Sequence, residues 1–292
     1  MGDKKNILFI INPISGTGKK KVVEKLLKEY IDSSKIEYDI KYTERAGHAT
    51  VIAKEVVQSN SYKGVVAVGG DGSVNEVAQG LIGSEVELGI IPAGSGNGFA
   101  RHLGIPLNFK DAIKCINTTN SKYVDTGQIN KEKFVGVAGV GFDAYISKKF
   151  DESPSRGFWT YFKLTVKEFI TYKEREYIVN YDGKKVILKA FMLCFCNSSQ
   201  WGNDAYIAPN ANSQDGFLRM IVVRKLPVLS VPLFAYKLFK KKVDSSRYYK
   251  EFKVKSVFLK QSEKLIHIDG EPLYFSDELE VSVQADSLKV IY

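Results

Sequence analysis

Apolar and polar positions divide this chain into two patterns. As far as about residue 124, short apolar runs alternate with stretches of helical period. The runs Ile7–Ile11, Ile36–Tyr42, Gly64–Val68 and Leu88–Ile91 read as strands. Between the first two, Val22, Val23, Leu26, Leu27, Tyr30 and Ile31 recur at helical spacing within Lys19–Ile31. Further helices are expected over Ala49–Ser59 and Ser73–Ile82, with short ones as far as Asn117. Strand alternating with helix is the pattern of a doubly wound, mostly parallel sheet. From Asp125 onward most segments read as strands: Phe134–Val140, Glu176–Tyr181, Val186–Cys196, Phe217–Val223, Phe252–Leu259, Lys264–Ile268, Leu279–Gln284 and Leu288–Ile291. Turn pairs such as Asp182-Gly183 separate several of them, which points to an antiparallel sandwich. Two helical insertions, Gly157–Tyr172 and Val228–Lys242, interrupt it. The expected organisation is an α/β domain over residues 1–125, with a parallel, doubly wound sheet, then an all-β-rich antiparallel sandwich domain over residues 126–292.

Composition narrows the setting. A length of 292 residues suits two domains, and no run approaches the roughly 18–20 apolar residues that cross a bilayer. Lys4 and Lys5 precede an apolar strand too short for a secretory leader. Three cysteines, Cys115, Cys194 and Cys196, make no disulfide framework, and the last two alternate onto one face of a strand. The three histidines have no metal-binding spacing, although His48 and His102 lie beside glycine-rich turns. A reducing, cytoplasmic location is expected. The net charge of +9 suits an anionic partner, either nucleotide or phospholipid surface. No recognition helix, zinc motif or RNA-binding aromatic signature supports nucleic acid as that partner. The charge also has a bland explanation, a well-solvated surface.

Three glycine-rich turns follow three of the apolar runs. Val65–Val68 leads into Gly69, Gly70, Asp71 and Gly72, with Ser73 and Glu76 at the spacing of a helix capping box. Glycines let the backbone approach a bulky ligand, and a helix start offers free N–H groups to phosphate. One carboxylate among those donors suits Mg²⁺-nucleotide better than a bare anion. Alone, the segment is explained equally well by a tight turn with a satisfied Asp. The first run ends in Asn12, Pro13, Ile14, Ser15, Gly16, Thr17 and Gly18, then three lysines. It is not a P-loop, because Pro13 and Lys20 stand where that pattern needs Gly and Ser or Thr. The third turn is Pro92-Ala93-Gly94-Ser95-Gly96-Asn97-Gly98-Phe99-Ala100. Ligands of open parallel sheets gather at the carboxyl ends of strands, so three such loops outweigh one. The spacing of Gly139, Gly141 and Ala144 imitates a dinucleotide fingerprint, but its β-rich surroundings argue against one.

The three motifs, in this order and spacing, resemble the catalytic domain of the diacylglycerol kinase and sphingosine kinase superfamily. The resemblance continues through Asp125-Thr126-Gly127, Gly139 to Ala144, Asp215-Gly216 and Asp269-Gly270-Glu271, and so spans nearly the whole chain. Gly98 follows Asn97 where bacterial diacylglycerol kinases often carry Asp, which is closer to the sphingosine and ceramide kinase side. The resemblance implies ATP and Mg²⁺ as cofactors and a membrane lipid as acceptor. It implies nucleotide contacts from Asn12, Pro13, Ser15, Gly16, Thr43, Gly70, Asp71, Gly72, Ser73, Asn75, Glu76, Gly94, Ser95, Gly96 and Asn97. The base is Glu271 by resemblance to bacterial lipid kinases and Asp71 by resemblance to sphingosine-kinase-like relatives. Glu271 is the preferred base here, with Asp71 organising Mg²⁺-nucleotide. Asp215, with Asn212, is implied as the seat of a structural Mg²⁺. Asp125 is implied to organise water around the catalytic metal, and Asp143 to meet the acceptor headgroup.

An apolar acceptor also suits the two helical insertions. Phe158, Trp159, Tyr161, Phe162, Leu164, Phe169 and Ile170 crowd the first, while Leu233, Phe234, Tyr236, Leu238 and Phe239 precede Lys240, Lys241 and Lys242 in the second. Such segments suit an anionic membrane surface, although capping of the sandwich core explains most of these residues equally well. The expectation is an ATP- and Mg²⁺-dependent lipid kinase, peripheral at the inner face of the membrane, with room for a homo-oligomer. The alternatives are a kinase of a soluble metabolite, of the NAD kinase type, and a catalytically silent nucleotide- or lipid-binding module.

Overall fold

The computed structural model describes residues 4–13, 20–154 and 158–292. Its contacts group into two compact units, Met1–Val124 with Asp286–Tyr292, and Asp125–Ala285. The last seven residues, grouped with residues 126–292 in the expected organisation, therefore fall with the first unit, and Asp125 with the second.

The first unit is built from β1 (Lys5–Ile11), α1 (Lys20–Tyr30), β2 (Ile36–Tyr42), α2 (His48–Ser59), β3 (Gly64–Gly69), α3 (Asp71–Leu81), β4 (Glu87–Pro92), α4 (Gly98–His102) and α5 (Phe109–Asn117). The strands lie in the order β2-β1-β3-β4 and all pair in parallel. Val290, near the chain's end, adds a parallel pairing to Leu88. A parallel sheet needs cover on both faces, so its inner strands read as near-continuous apolar runs; β3 and β4 are buried at every residue, whereas the edge strand β2 alternates. Ile7, Phe9 and Ile11 of β1 pack with Val23 and Leu27 of α1 and with Ala112, Ile113 and Ile116 of α5. α3 begins at Asp71, two residues before the expected start, with Gly70 at the cap and no side-chain capping bond. Glu76 does not complete a capping box. Its Oε2 accepts from the amide of Ala49 at 3.1 Å, so it sits at the N-terminal turn of α2, where the helix dipole favours an acid.

The second unit holds two sheets. Its elements are β5 (Ser121–Ile129, mostly in this unit), β6 (Glu132–Phe134), β7 (Val137–Gly141), α6 (Phe142–Asp151), α7 (Phe158–Thr171), β8 (Arg175–Tyr181), β9 (Lys184–Ala190), β10 (Met192–Cys196), β11 (Leu218–Val223), α8 (Val231–Phe239), β12 (Tyr249–Val254), β13 (Ser256–Lys260), β14 (Leu265–Ile268), β15 (Glu271–Tyr274) and the first part of β16 (Glu278–Ile291). One antiparallel sheet runs β12-β11-β10-β7-β14-β15; the other runs β16-β13-β8-β9, with β5 pairing β16 and β6. Apolar residues of both fill the space between them, among them Val140, Leu193, Phe195 and Met220 against Val179, Val257, Leu259 and Val281. The outer face of the first sheet, carrying Cys194, Cys196, Ile221 and Val223, packs against α6, α7 and α8 through Phe142, Ile146, Phe169, Tyr172 and Leu238. The three cysteines are free.

Several expected elements are divided differently. Residues 186–196 form two strands, β9 and β10, in different sheets, and residues 252–259 divide between β12 and β13 in the same way. Residues 279–291, expected as two strands, form one. A helix, α6, follows β7 where none was expected, yet β7's neighbours β10 and β14 are antiparallel, so no βαβ unit forms around Gly139 and Gly141.

Candidate functional site

In the first unit the carboxyl ends of β1, β3 and β4 lie side by side, because these strands are parallel and adjacent. The Asn12 amide donates to Val68 O at 3.2 Å, and the Ala93 amide to Gly69 O at 2.7 Å. Asn12 Nδ2 donates to Ser73 Oγ at 3.3 Å. The second and third loops touch through their glycines: a Cβ on Gly94 would stand 2.5 Å from Gly70 Cα, a distance no side chain tolerates. Asn97, buried and left-handed at φ 51, closes the third loop on itself. Its Oδ1 accepts from the Gly94 amide at 3.0 Å and its Nδ2 donates to Gly94 O at 2.9 Å.

Asp71 joins the two loops electrostatically. Its carboxylate is hydrogen-bonded by the backbone amides of Gly98, Asn97 and Phe99; burial nevertheless pushes its pKa above the usual carboxylate value, with those amides opposing the shift. A carboxylate offers about four lone-pair sites, so one surrounded by amides is a loop tether rather than part of a metal cage. Among the described residues no group of three His, Cys, Asp or Glu side chains could hold a metal ion. Gly72 and Ser95 are exposed, Thr43 is half-buried and its amide donates to Ile11 O at 3.0 Å, and Asn75 is buried, accepting from Gln79 Nε2 at 3.3 Å. Ser15 and Gly16 lie outside the described residues. Burial drives the His102 imidazole pKa down to about 4, which leaves it neutral at pH 7.

In the second unit Asp269 and Gly270 form the two-residue turn of the β14–β15 hairpin, both left-handed at φ 48 and 88. Glu271, the first residue of β15, is exposed. The turn is clamped beneath. Asp269 accepts from the amides of Val135, Gly136 and Val137 at 2.9, 2.8 and 3.0 Å. Burial lifts its carboxyl to about 6 despite those donors. His267 Nδ1 accepts from the Gly270 amide at 3.3 Å, which puts the ring proton on Nε2, 2.6 Å from Asp143 Oδ2. Asp143 is only 5% exposed and also accepts from Cys194 Sγ. It is thus enclosed rather than open to an acceptor headgroup. A Cβ on Gly139 would lie 2.9 Å from His267 Nε2, so glycine is needed beside this pair. His267 and Gly139 escaped the sequence-based expectations. A histidine two residues before the turn's Asp was the only available signal.

Asp125 and Asp215 belong to one neighbourhood of this unit. Asp125 Oδ2 accepts from the Gly216 amide at 2.7 Å, and its own amide donates to Ser213 O at 2.6 Å. Asp215 pairs with Arg219 Nη2 at 2.7 Å and Lys253 Nζ at 3.1 Å. Asn212 Oδ1 accepts from the Gln214 amide at 3.0 Å. The donors expected to hold a structural Mg²⁺ are therefore engaged with protein cations and backbone, and this set does not fit a metal ion.

Two protein families account for nearly the whole chain. Residues 6–129 match the diacylglycerol kinase catalytic domain, and residues 136–292 match the YegS C-terminal NAD kinase beta sandwich-like domain. The chain belongs to the diacylglycerol kinase family of lipid kinases. A diacylglycerol kinase of Bacillus subtilis is 27% identical over 279 residues, covering 91% of this chain and 90% of the relative. An uncharacterized Synechocystis protein is 36% identical over 161 residues; the match covers 52% of this chain and spans only 37% of that relative. The crystal structure of a diacylglycerol kinase from Bacillus anthracis superposes with a TM-score of 0.77 at 23% identity, covering 100% of this chain and 98% of the other, which shows the shared fold. By family, the chain is thus a lipid kinase.

Proposed function

We propose that this lipid kinase transfers the γ-phosphate of MgATP to a hydroxyl of a membrane lipid, working from the cytoplasmic side at an anionic bilayer surface. The observation that carries this reading is the junction of the second and third glycine loops, with Asp71 held by the amides of Asn97, Gly98 and Phe99. It supports residues 1–125 as a nucleotide-binding domain in which exposed Gly72 and the first turn of α3 take the phosphates. Residues 126–292 then act as the acceptor domain. Glu271, exposed on a turn clamped from below, takes the proton of the lipid hydroxyl. The freed oxygen forms the new bond to the γ-phosphorus, the bond from that phosphorus to the β–γ bridging oxygen breaks, and ADP leaves with the electron pair. Asp143 and His267 do not touch substrate in this scheme; they position the turn that carries Glu271.

The exposed apolar side chains of α7 and α8 favour a lipid over a soluble metabolite. Trp159, Phe162, Val166 and Ile170 follow one stripe of α7, and Trp159 is 70% exposed. An acceptor pocket for NAD would call for polar, nucleotide-shaped surroundings instead. Incubation with γ-labelled ATP, Mg²⁺ and a panel of diacylglycerol, sphingoid and ceramide acceptors, followed by product identification, tests the proposal. A labelled lipid is expected. Labelled NAD with every lipid untouched would establish the soluble-metabolite reading, and no product at all, with ATP still bound, the silent module.

A further inference from the structure

We infer that Arg219, backed by Lys253, is a built-in counter-cation for the Asp215 turn and takes the place where the family resemblance puts a structural Mg²⁺. This inference does not depend on which acceptor the enzyme phosphorylates.

Arg219 lies in β11 and is 7% exposed, an uncommon degree of burial for a guanidinium unless acids surround it. Two acids do. Its Nη2 is 2.7 Å from Asp215 Oδ2, and its Nε is 3.3 Å from Glu251 Oε1. Only Nη1 is buried without a partner. Lys253 stands directly across the ladder, paired in register with Arg219, and its Nζ reaches the same Asp215 oxygen at 3.1 Å. The other oxygen, Oδ1, accepts from the Phe217 amide at 3.2 Å. Asp215 therefore has a donor on each oxygen and two cations on one of them. The nearby cations hold its carboxyl below the usual value, although burial opposes them.

Charge counting leads the same way. Arg219 and Lys253 match Asp215 and Glu251 charge for charge, so these four need no ion between them, and Asp125 meets the turn through a backbone amide. Mg²⁺ bonds oxygen at about 2.1 Å and tolerates little departure from octahedral geometry. At that distance from Asp215 Oδ2 it would press against two positive nitrogens already within hydrogen-bonding range. Asn212, the second expected ligand, spends its Oδ1 on the Gln214 amide. The turn is instead fixed by protein groups alone: Arg219 and Lys253 on Asp215, and Asp125 on the Gly216 amide. The consequence is that this sandwich keeps its fold without drawing on free divalent cation, whatever Mg²⁺ the nucleotide brings to the reaction.

Thermal unfolding of the full chain, without nucleotide, decides the matter. A ligand that binds only the folded state raises the melting temperature as its concentration passes its dissociation constant. The parent should melt at the same temperature in EDTA and across a MgCl₂ titration matched for ionic strength. Arg219→Gln should melt several degrees lower in EDTA and recover part of the loss as Mg²⁺ rises, because two acids are then left with one cation. Arg219→Lys should fall between them. A saturable Mg²⁺-dependent rise in the parent, abolished by Asp215→Asn, would overturn the proposal. So would an Arg219→Gln protein that melts like the parent. Should Arg219→Gln fail to fold, the parent titration still decides. Lys253→Gln, at a half-exposed side chain, then supplies the milder variant, expected to melt slightly lower.

Discussion

Asp71 works as an acceptor for three amides, and that geometry makes its replacement informative. An Asn in its place presents an NH₂ group to backbone donors, so one half of the side chain repels the third loop that the carboxylate holds. Asp71→Asn should weaken ATP binding and lower kcat together, by about 10²-fold or more, while unfolding remains cooperative. Near-parental turnover at saturating MgATP would reduce the tether to a local turn feature. Glu271 makes the opposite case. It is exposed at the start of β15, where its carboxylate faces solvent rather than a nucleotide loop, so Glu271→Gln should lower kcat by roughly 10²–10⁴-fold with ATP affinity nearly unchanged. A loss confined to ATP affinity would move the base elsewhere. The glycines marked in the sequence the turns beside Asp71 and Glu271, because tight turns at strand ends need glycine; the role given to Glu271 came from the family resemblance alone. Arg219, His267 and the burial of Asp143 were not legible. A paired buried charge looks the same in a sequence as a solvated one, and only the ladder register brings Arg219 opposite Lys253.

Among the elements, the β14–β15 hairpin couples stability to pH. Asp269 has a folded-state pKa raised from 3.8 to about 6 by burial. The folded protein holds this proton more tightly than the unfolded chain does, so the group's favourable contribution is complete below the unfolded value. It is lost as pH rises through the folded one. Asp269→Asn has nearly the same shape and does not titrate. Between about pH 4 and about pH 6 the parent's melting temperature should therefore fall relative to the variant's; parallel profiles would show that the three amides of residues 135–137 outweigh burial. Elsewhere the periods of the sequence identified element types better than their breaks. The inner strands of the first unit were legible because a parallel sheet buried on both faces demands near-continuous apolar runs. Residues 186–196 were expected as one strand because no turn residue interrupts the apolar run through Phe191, although the chain there changes sheets. Helix α6 was hidden by the small residues of β7 just before it, which give no apolar period to read.

At the scale of the whole molecule, the net charge of +9 and the exposed apolar stripes have to be explained together. No helix among the described residues is long and apolar enough to cross a membrane. α7 and α8 pack their inner faces, through Phe169, Tyr172 and Leu238, on one core cluster. Their outer faces keep Ile170 at 67% exposure, and Leu229, just before α8, at 95%. A monomer rarely leaves that much apolar side chain in water without a use for it. Lys163 and Lys167 of α7, and Lys240, Lys241 and Lys242 after α8, are all exposed beside these stripes, the arrangement of a surface that rests its apolar side chains among lipids and its lysines at anionic headgroups. If a lipid hydroxyl is the acceptor, docking must precede transfer. Each lysine near an anionic surface contributes about 1 kcal/mol, so changing Lys240, Lys241 and Lys242 together to Gln should weaken docking by up to ~3 kcal/mol, roughly 150-fold. Activity on anionic vesicles should then drop sharply and lose much of its salt dependence, while activity on the same lipid dispersed in neutral detergent should hardly change. Damage to the phosphoryl-transfer site would lower both. Equal activity of parent and triple variant on anionic vesicles would remove these lysines from the docking surface and leave the apolar stripes to act without them.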